Sequence, residues 1–279
     1  MDMKCFTFSV ADRIARLTLS RPDEFNTINP DFWRELEMAL DHLQREAPAR
    51  ALVIASSGKH FSAGMALEMF GGSISINEAS AASRANIAAV LADMQRVLDK
   101  LAALRMPVIA VIQGGCIGGG FDLVSACDLR YCSADAFFCI QEINIGMTAD
   151  LGTLQRLPKL IPDAVVRELA FTGRRLPAAR ALAIGLVNDV APQAEGALDA
   201  ALAAASEIAA KPPVAIWGSK QAIDYARDHP VADSLRQMGW LQAAIWDTSA
   251  IAESMAARQQ RREPDYQDLA KLRFFGDED

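Results

Sequence analysis

Gln113-Gly114-Gly115-Cys116-Ile117-Gly118-Gly119-Gly120-Phe121-Asp122 holds five glycines and ends on an acid. The apolar run Met106-Pro107-Val108-Ile109-Ala110-Val111-Ile112 comes just before it and predicts a buried strand. Phe121-Asp122-Leu123-Val124-Ser125-Ala126-Cys127 follows and reads as an apolar helix. A strand therefore feeds a glycine-rich turn that opens a helix. Glycines let a backbone approach a ligand without interference from Cβ. The first helical N–H groups have no partner within the helix, and with the helix dipole they favour negative charge. Asp122 lies about one turn inside that helix, so an anion-stabilising backbone beside a carboxylate is a candidate centre for proton transfer. The competing reading is a tight strand–helix junction in which the glycines serve packing alone. Phosphate binding is disfavoured, because neither the G-x-G-x-x-G nor the G-K-[ST] spacing is present.

Around this junction, strands are expected at 4–10 and 13–20, joined as a hairpin at Ala11-Asp12, and at 50–55. Asn29 suits a helix N-cap and Pro30 the first helical position. A long helix is expected over 78–104 and short strands at 129–133 and 136–140. Helices then dominate: 162–171, 177–184, 196–210, 213–227 and 231–259, with a short strand near 186–190 between them. Interleaved strands and helices followed by a helical third describe an α/β chain. Trp217, Trp240 and Trp246 on the late helices read as core or subunit contacts.

The 279 residues carry a net charge of −7, which disfavours a nucleic-acid partner. The five cysteines, Cys5, Cys116, Cys127, Cys132 and Cys139, are odd in number and form no C-x-x-C, which suggests buried thiols in a reducing compartment. No basic-then-apolar leader opens the chain, no apolar run is long enough to span a membrane, and the tail carries no Ser-Lys-Leu ending. These absences lead to the expectation of a cytoplasmic protein. His42, His60 and His229 form no zinc pattern, no G-x-S-x-G elbow occurs, and no metal is expected.

The chemistry is left to carboxylates and backbone amides. Asp122, Glu142 and Asp150 lie among apolar neighbours, where desolvation raises a carboxyl pKa into a useful range. Taken singly, each also fits a helix cap or a salt bridge.

These motifs resemble the crotonase, or enoyl-CoA hydratase/isomerase, superfamily along nearly the whole chain. The matching segments are Leu19-Ser20-Arg21-Pro22-Asp23-Glu24-Phe25-Asn26, His60-Phe61-Ser62-Ala63-Gly64, the glycine run to Asp122, Phe171-Thr172-Gly173-Arg174 and Gly185-Leu186-Val187. Within it, the glycine run and Ala149-Asp150-Leu151-Gly152-Thr153-Leu154-Gln155-Arg156-Leu157-Pro158 are most similar to the dienoyl-CoA isomerases, which carry Asp, Glu and Asp at the positions of Asp122, Glu142 and Asp150.

The resemblance implies a ββα spiral core with an acyl-CoA site over 1–195 and a helical oligomerisation region over 196–279, assembled as a homotrimer or homohexamer. It implies an isomerase of fatty-acid β-oxidation that turns 3,5-dienoyl-CoA into 2,4-dienoyl-CoA. Coenzyme A is then part of the substrate and no cofactor is needed. By the same resemblance Glu142 takes the C2 proton, Asp150 delivers one at C6, and Asp122 tunes Glu142. The amides of Met65 and Gly119 form the oxyanion hole, and Phe25, Ala63, Gly64, Gly118 and Lys220 contact substrate. The alternatives are a 2-enoyl-CoA hydratase, with Asp150 a spectator, and a non-catalytic acyl-CoA-binding protein.

The chain departs from the family pattern at three places, of which one, Arg180 where relatives often carry Glu, bears no functional conclusion. Ala66 replaces an acid usual two residues after the loop glycine. Phe25 stands where a basic residue is frequent, leaving Lys59 and Lys220 as candidates for CoA phosphate. The segment 71–89 is expected to wall the acyl pocket.

Overall fold

The computed structural model describes residues 3–70 and 81–273. Strands β1 (Phe6–Ala11) and β2 (Ile14–Leu19) form the expected hairpin, and its turn is Asp12-Arg13. Both turn residues have positive φ, 51° and 62°, the conformation a two-residue hairpin turn needs to match strand twist. Helix α1 (Pro30–Glu46) starts on the Asn29 cap, whose side chain accepts from the Phe32 N–H. Strand β3 (Ala51–Ser56) and helix α2 (Ala81–Ala102) follow, then β4 (Val108–Ile112), β5 (Gly115–Ile117) and α3 (Gly119–Ser125). Next come β6 (Leu129–Ser133), β7 (Phe137–Cys139), α4 (Thr153–Arg156), α5 (Asp163–Thr172), β8 (Leu176–Pro177), α6 (Ala178–Ala183) and β9 (Asp189–Ala191). Helices α7 (Ala194–Ala209), α8 (Pro213–Asp228), α9 (Val231–Ile245) and α10 (Thr248–Gln260) complete the described chain.

The main sheet has the order β1-β2-β3-β4-β6-β9, parallel from β2 onward. A smaller sheet, β5-β7-β8, stands beside it. The unbroken apolar run of β3 follows from burial on both faces. Leu52 and Ile54 face a core shared with α1 and α2, while Ala51, Val53 and Ala55 pack on Ala197, Ala201 and Ala205 of α7. Alanines at four-residue spacing put one smooth face of α7 on the sheet. The expected boundary at 195/196 thus falls at the start of a helix that covers the core.

Two expectations are corrected. The glycine run is not one turn: β5 forms inside it, because Ser62 N–H donates to Gly115 O and Ile117 N–H to Ser62 O, and the helix begins at Gly119. The single helix expected over 231–259 is two. It breaks at Trp246-Asp247, where Asp247 turns its carboxylate back onto the N–H groups of Ser249 and Ala250 and caps α10. The onset of the long helix at 78, and much of the 71–89 wall, lie outside the described residues.

The tail is held by Arg50. Its buried guanidinium donates to Ala209 O at 2.8 Å, to Asp268 Oδ1 at 2.6 Å and to Tyr266 O. An Arg50→Met variant removes the donors for all three, and the expected cost is about 3 kcal/mol, read as a lower midpoint in urea unfolding.

Candidate active site

Two loops meet at the start of α3. Asn26 is 3% exposed and joins them: its amide donates to Ser57 O at 2.8 Å and His60 O at 3.1 Å, and its Oδ1 accepts from Arg21 N. Ser62 Oγ donates to Asn26 O and accepts from Gly64 N. Residues 25–28 then run beside 63–66, with Ala63 N–H donating to Phe25 O, Ile28 N–H to Gly64 O and Ala66 N–H to Ile28 O. This ladder passes over the Met65 amide. Gly119, the first residue of α3, likewise has an N–H that no carbonyl of the helix can take. Gly64 brings the two together. Its φ is +89°, and a Cβ there would lie 2.8 Å from Ile117 O and 3.6 Å from Gly119 N.

Gly118 sets the next contact. With φ 51° and ψ −121° it occupies backbone space reserved for glycine, and a Cβ would lie 3.0 Å from Glu142 Oε1. The Glu142 carboxylate, on a 3₁₀ turn over Glu142–Ile145, therefore rests against the bare Cα beside the Gly119 amide. Asp122 lies one turn into α3, 1% exposed, and accepts from Thr153 N–H at 2.7 Å. Asp150, half-buried, is fixed through its backbone: Gln95 of α2 donates to Asp150 O at 2.6 Å. Arg156 steadies the same turn by donating to Leu151 O while pairing with Asp99.

Burial pushes the Glu142 carboxyl up to about 7, and the charges of Asp122 and Asp150 add to the rise. Burial also lifts Asp122 to about 6, against the lowering hydrogen bond from Thr153. Asp150 is raised for the same reason, with its own backbone N–H opposing. The three acids are near enough to feel one another, and a carboxyl poised near neutrality both accepts and donates protons.

Asp122, Glu142, Asp150, Met65, Gly119, Gly118, Gly64 and Ala63 thus lie on segments that converge at the start of α3, with Phe25 53% exposed in the neighbouring turn. Lys220 does not fit its expected role. It is buried, and its ammonium donates to Asp128 Oδ2 at 2.8 Å and Met106 O at 3.2 Å, so its charge is already matched. Lys59 is exposed. Ala66 is buried and the 3₁₀ turn over Leu67–Phe70 forms without the usual acid. Sequence reasoning missed Gln95, Thr153 and Arg156 as supports of the acids. The only signal was Gly152, whose φ of +121° leaves room for the Arg156 guanidinium.

Known proteins share this framework. The family described as enoyl-CoA hydratase/isomerase matches residues 10–269. Human Delta(3,5)-Delta(2,4)-dienoyl-CoA isomerase, mitochondrial, is 40% identical over 258 residues, covering 91% of this chain and 79% of that one. The mouse protein of the same name is 39% identical, covering 95% and 82%. The peroxisomal dienoyl-CoA isomerase of Arabidopsis thaliana is 34% identical, covering 92% and 93%. Among solved structures, an enoyl-CoA hydratase from Bacillus anthracis superposes with a TM-score of 0.86 at 27% identity, covering 94% and 99%. One from Polaromonas reaches 0.83 at 27%, covering 94% and 99%. The expectation of a cytoplasmic protein is overturned by these relatives, which are mitochondrial or peroxisomal. No helix among the described residues is long and apolar enough to cross a membrane. With a family match across nearly its whole length, the chain belongs to the enoyl-CoA hydratase/isomerase family.

Proposed function

We propose that the protein is a dienoyl-CoA isomerase that converts 3,5-dienoyl-CoA into 2,4-dienoyl-CoA within fatty-acid β-oxidation. The observation that carries this reading is the trio of desolvated carboxylates around Gly118-Gly119, with Asp150 present as a third acid. The names of the relatives at 39–40% identity point the same way.

The thioester oxygen sits between the Met65 and Gly119 amides. Glu142, ionised, removes a proton from C2. The electron pair left behind spreads over the diene and the thioester oxygen, where the two amides stabilise it, each by about 3 kcal/mol. Asp150 then delivers a proton to C6, and the double bonds come to rest at C2 and C4, conjugated with the carbonyl. Asp122, buried and held by Thr153, acts through its charge: it keeps Glu142 basic enough to take a carbon-bound proton. Two acids serving carbons four bonds apart suit this shift better than addition of water across one bond.

Homo-oligomerisation, as a trimer or a pair of trimers, is part of the proposal. It is supported by α9, none of whose side chains is buried within the chain, and by Leu235, Trp240, Trp246 and Met255, each more than 60% exposed.

Ultraviolet spectroscopy tests the activity. Purified protein given a 3,5-dienoyl-CoA is expected to build the absorbance of the conjugated 2,4-dienoyl thioester, and Asp150→Asn is expected to abolish that growth. Absence of growth, with rapid hydration of a 2-enoyl-CoA that survives Asp150→Asn, would overturn the reading.

A further inference from the structure

Thr153, the first residue of α4, follows Asp150 by three positions and reaches across to α3. Its N–H donates to Asp122 Oδ1 at 2.7 Å, and the residue is 1% exposed. The hydroxyl behaves differently from the amide. It lies near enough to the Asp122 carboxyl to lower its pKa, but it does not reach hydrogen-bond geometry with it. Among the described residues Thr153 Oγ1 has no partner at all, although it is buried.

An orphaned hydroxyl in the interior carries a desolvation cost that a valine of the same shape would not. Packing therefore gives no reason for an oxygen at this position; the carboxyl beside it does. A hydroxyl both donates and accepts. It donates to Asp122 when the carboxyl is ionised and accepts from it when the carboxyl holds a proton. The Thr153 amide only donates, and so serves the ionised form alone.

The surroundings of Asp122 explain why such a partner matters. The charged and titratable groups around it are Glu142 on the 3₁₀ turn, Asp150 on the turn before α4, Arg156 in α4 and the Cys116 thiol of β5. Arg156 alone among these is positive, and its guanidinium is shared with Leu151 O and Asp99. Burial favours the protonated form of Asp122, and the donors of Thr153 oppose it. The balance bears on Glu142, because the Asp122 charge is one of the causes that raise the Glu142 carboxyl. A protonated Asp122 would leave Glu142 the weaker base.

We propose that the Thr153 hydroxyl is a positioning group for the reaction: it holds Asp122 ionised and, through that charge, sets the basicity of Glu142. The inference rests on the proposed function in taking Glu142 to be the base. One turn then presents the acid that serves C6 and also controls the charge behind the base that serves C2.

Thr153→Val keeps the shape and removes the hydroxyl, whereas Thr153→Ser keeps the hydroxyl. Infrared titration of the full chain reads Asp122 directly, its protonated carboxyl band being assigned by loss in Asp122→Asn. In Thr153→Val that band is expected to persist to higher pH, by about one unit, the effect of one lost hydroxyl donor. With a 3,5-dienoyl-CoA, Thr153→Val is expected to lower the plateau of kcat/KM about threefold. Its acid limb should move to lower pH by about half a unit, because Glu142 loses a like charge. Thr153→Ser is expected to match the unaltered protein in all three readings. An Asp122 band that titrates unchanged in Thr153→Val would overturn the inference. A loss of activity with the acid limb unmoved, the mark of a merely structural role, would do the same, as would a Thr153→Ser that behaves like Thr153→Val. If the isomerase reading alone fails, no form turns over, but the infrared titration still separates Thr153→Val from Thr153→Ser.

Discussion

Glu142→Gln is expected to lower kcat about a thousandfold or more, because it removes the group that takes the C2 proton. The pH profile of the unaltered enzyme carries the same signature. The Glu142 carboxyl, pushed up to about 7 by burial, must be ionised to act as a base. Below that pH, kcat/KM should fall about tenfold per pH unit. Stability should run in the opposite sense. A carboxyl whose folded pKa is raised contributes stability that is full below its unfolded value, 4.5, and is lost as pH rises through about 7. At pH 8 the unaltered protein has lost that contribution and carries a buried charge, whereas a glutamine does not. The variant should therefore be the more stable form at pH 8, by up to about 3 kcal/mol, and should hold no such advantage near pH 4.5. Thermal unfolding at the two pH values measures this. A loss of stability at pH 8 would mean that Glu142 serves the fold rather than the reaction.

Gly64→Ala is expected to lower kcat about a hundredfold or more, the usual effect of losing one oxyanion donor. The backbone at Gly64, φ +89°, is strained for any other residue, and the added Cβ would press on Ile117 O at 2.8 Å. Relief requires the 60–65 loop to move away from α3, which separates the Met65 amide from the Gly119 amide. The strain itself should cost about 1–3 kcal/mol of stability. Steady-state kinetics with calorimetry checks both. An alanine variant with normal kcat would show that these two amides do not share the charge.

Much of this arrangement was legible because local chemistry and tertiary structure agree. The apolar runs of β3 and β4 read as buried strands and are buried on both faces. Asn29-Pro30 reads as a cap and is one. The carboxylates at 122, 142 and 150 were marked by their apolar neighbours, and burial is what raises them. What stayed hidden depends on partners far along the chain. Strand β5 has only three residues and owes its form to Ser62 and to β7, not to its own glycine-rich composition. Gln95 reaches Asp150 across 55 positions and Lys220 reaches Asp128 across 92, and no periodicity encodes either pairing. The break at Trp246-Asp247 turns on a single carboxylate that caps the helix following it within an otherwise helical stretch. Compartment was misjudged from missing signals at the two ends of the chain, which constrain location far less than the relatives do.

The central claim is that different carboxylates serve the two carbons. Turnover of an unlabelled 3,5-dienoyl-CoA by the unaltered enzyme in deuterated water, with the product read by nuclear magnetic resonance, tests it most directly. Asp150, half-buried, exchanges its proton with solvent, so the product is expected to carry deuterium at C6. Transfer of the original C2 hydrogen to C6, with no solvent label there, would mean that one base shuttles the proton and would contradict the two-carboxylate account.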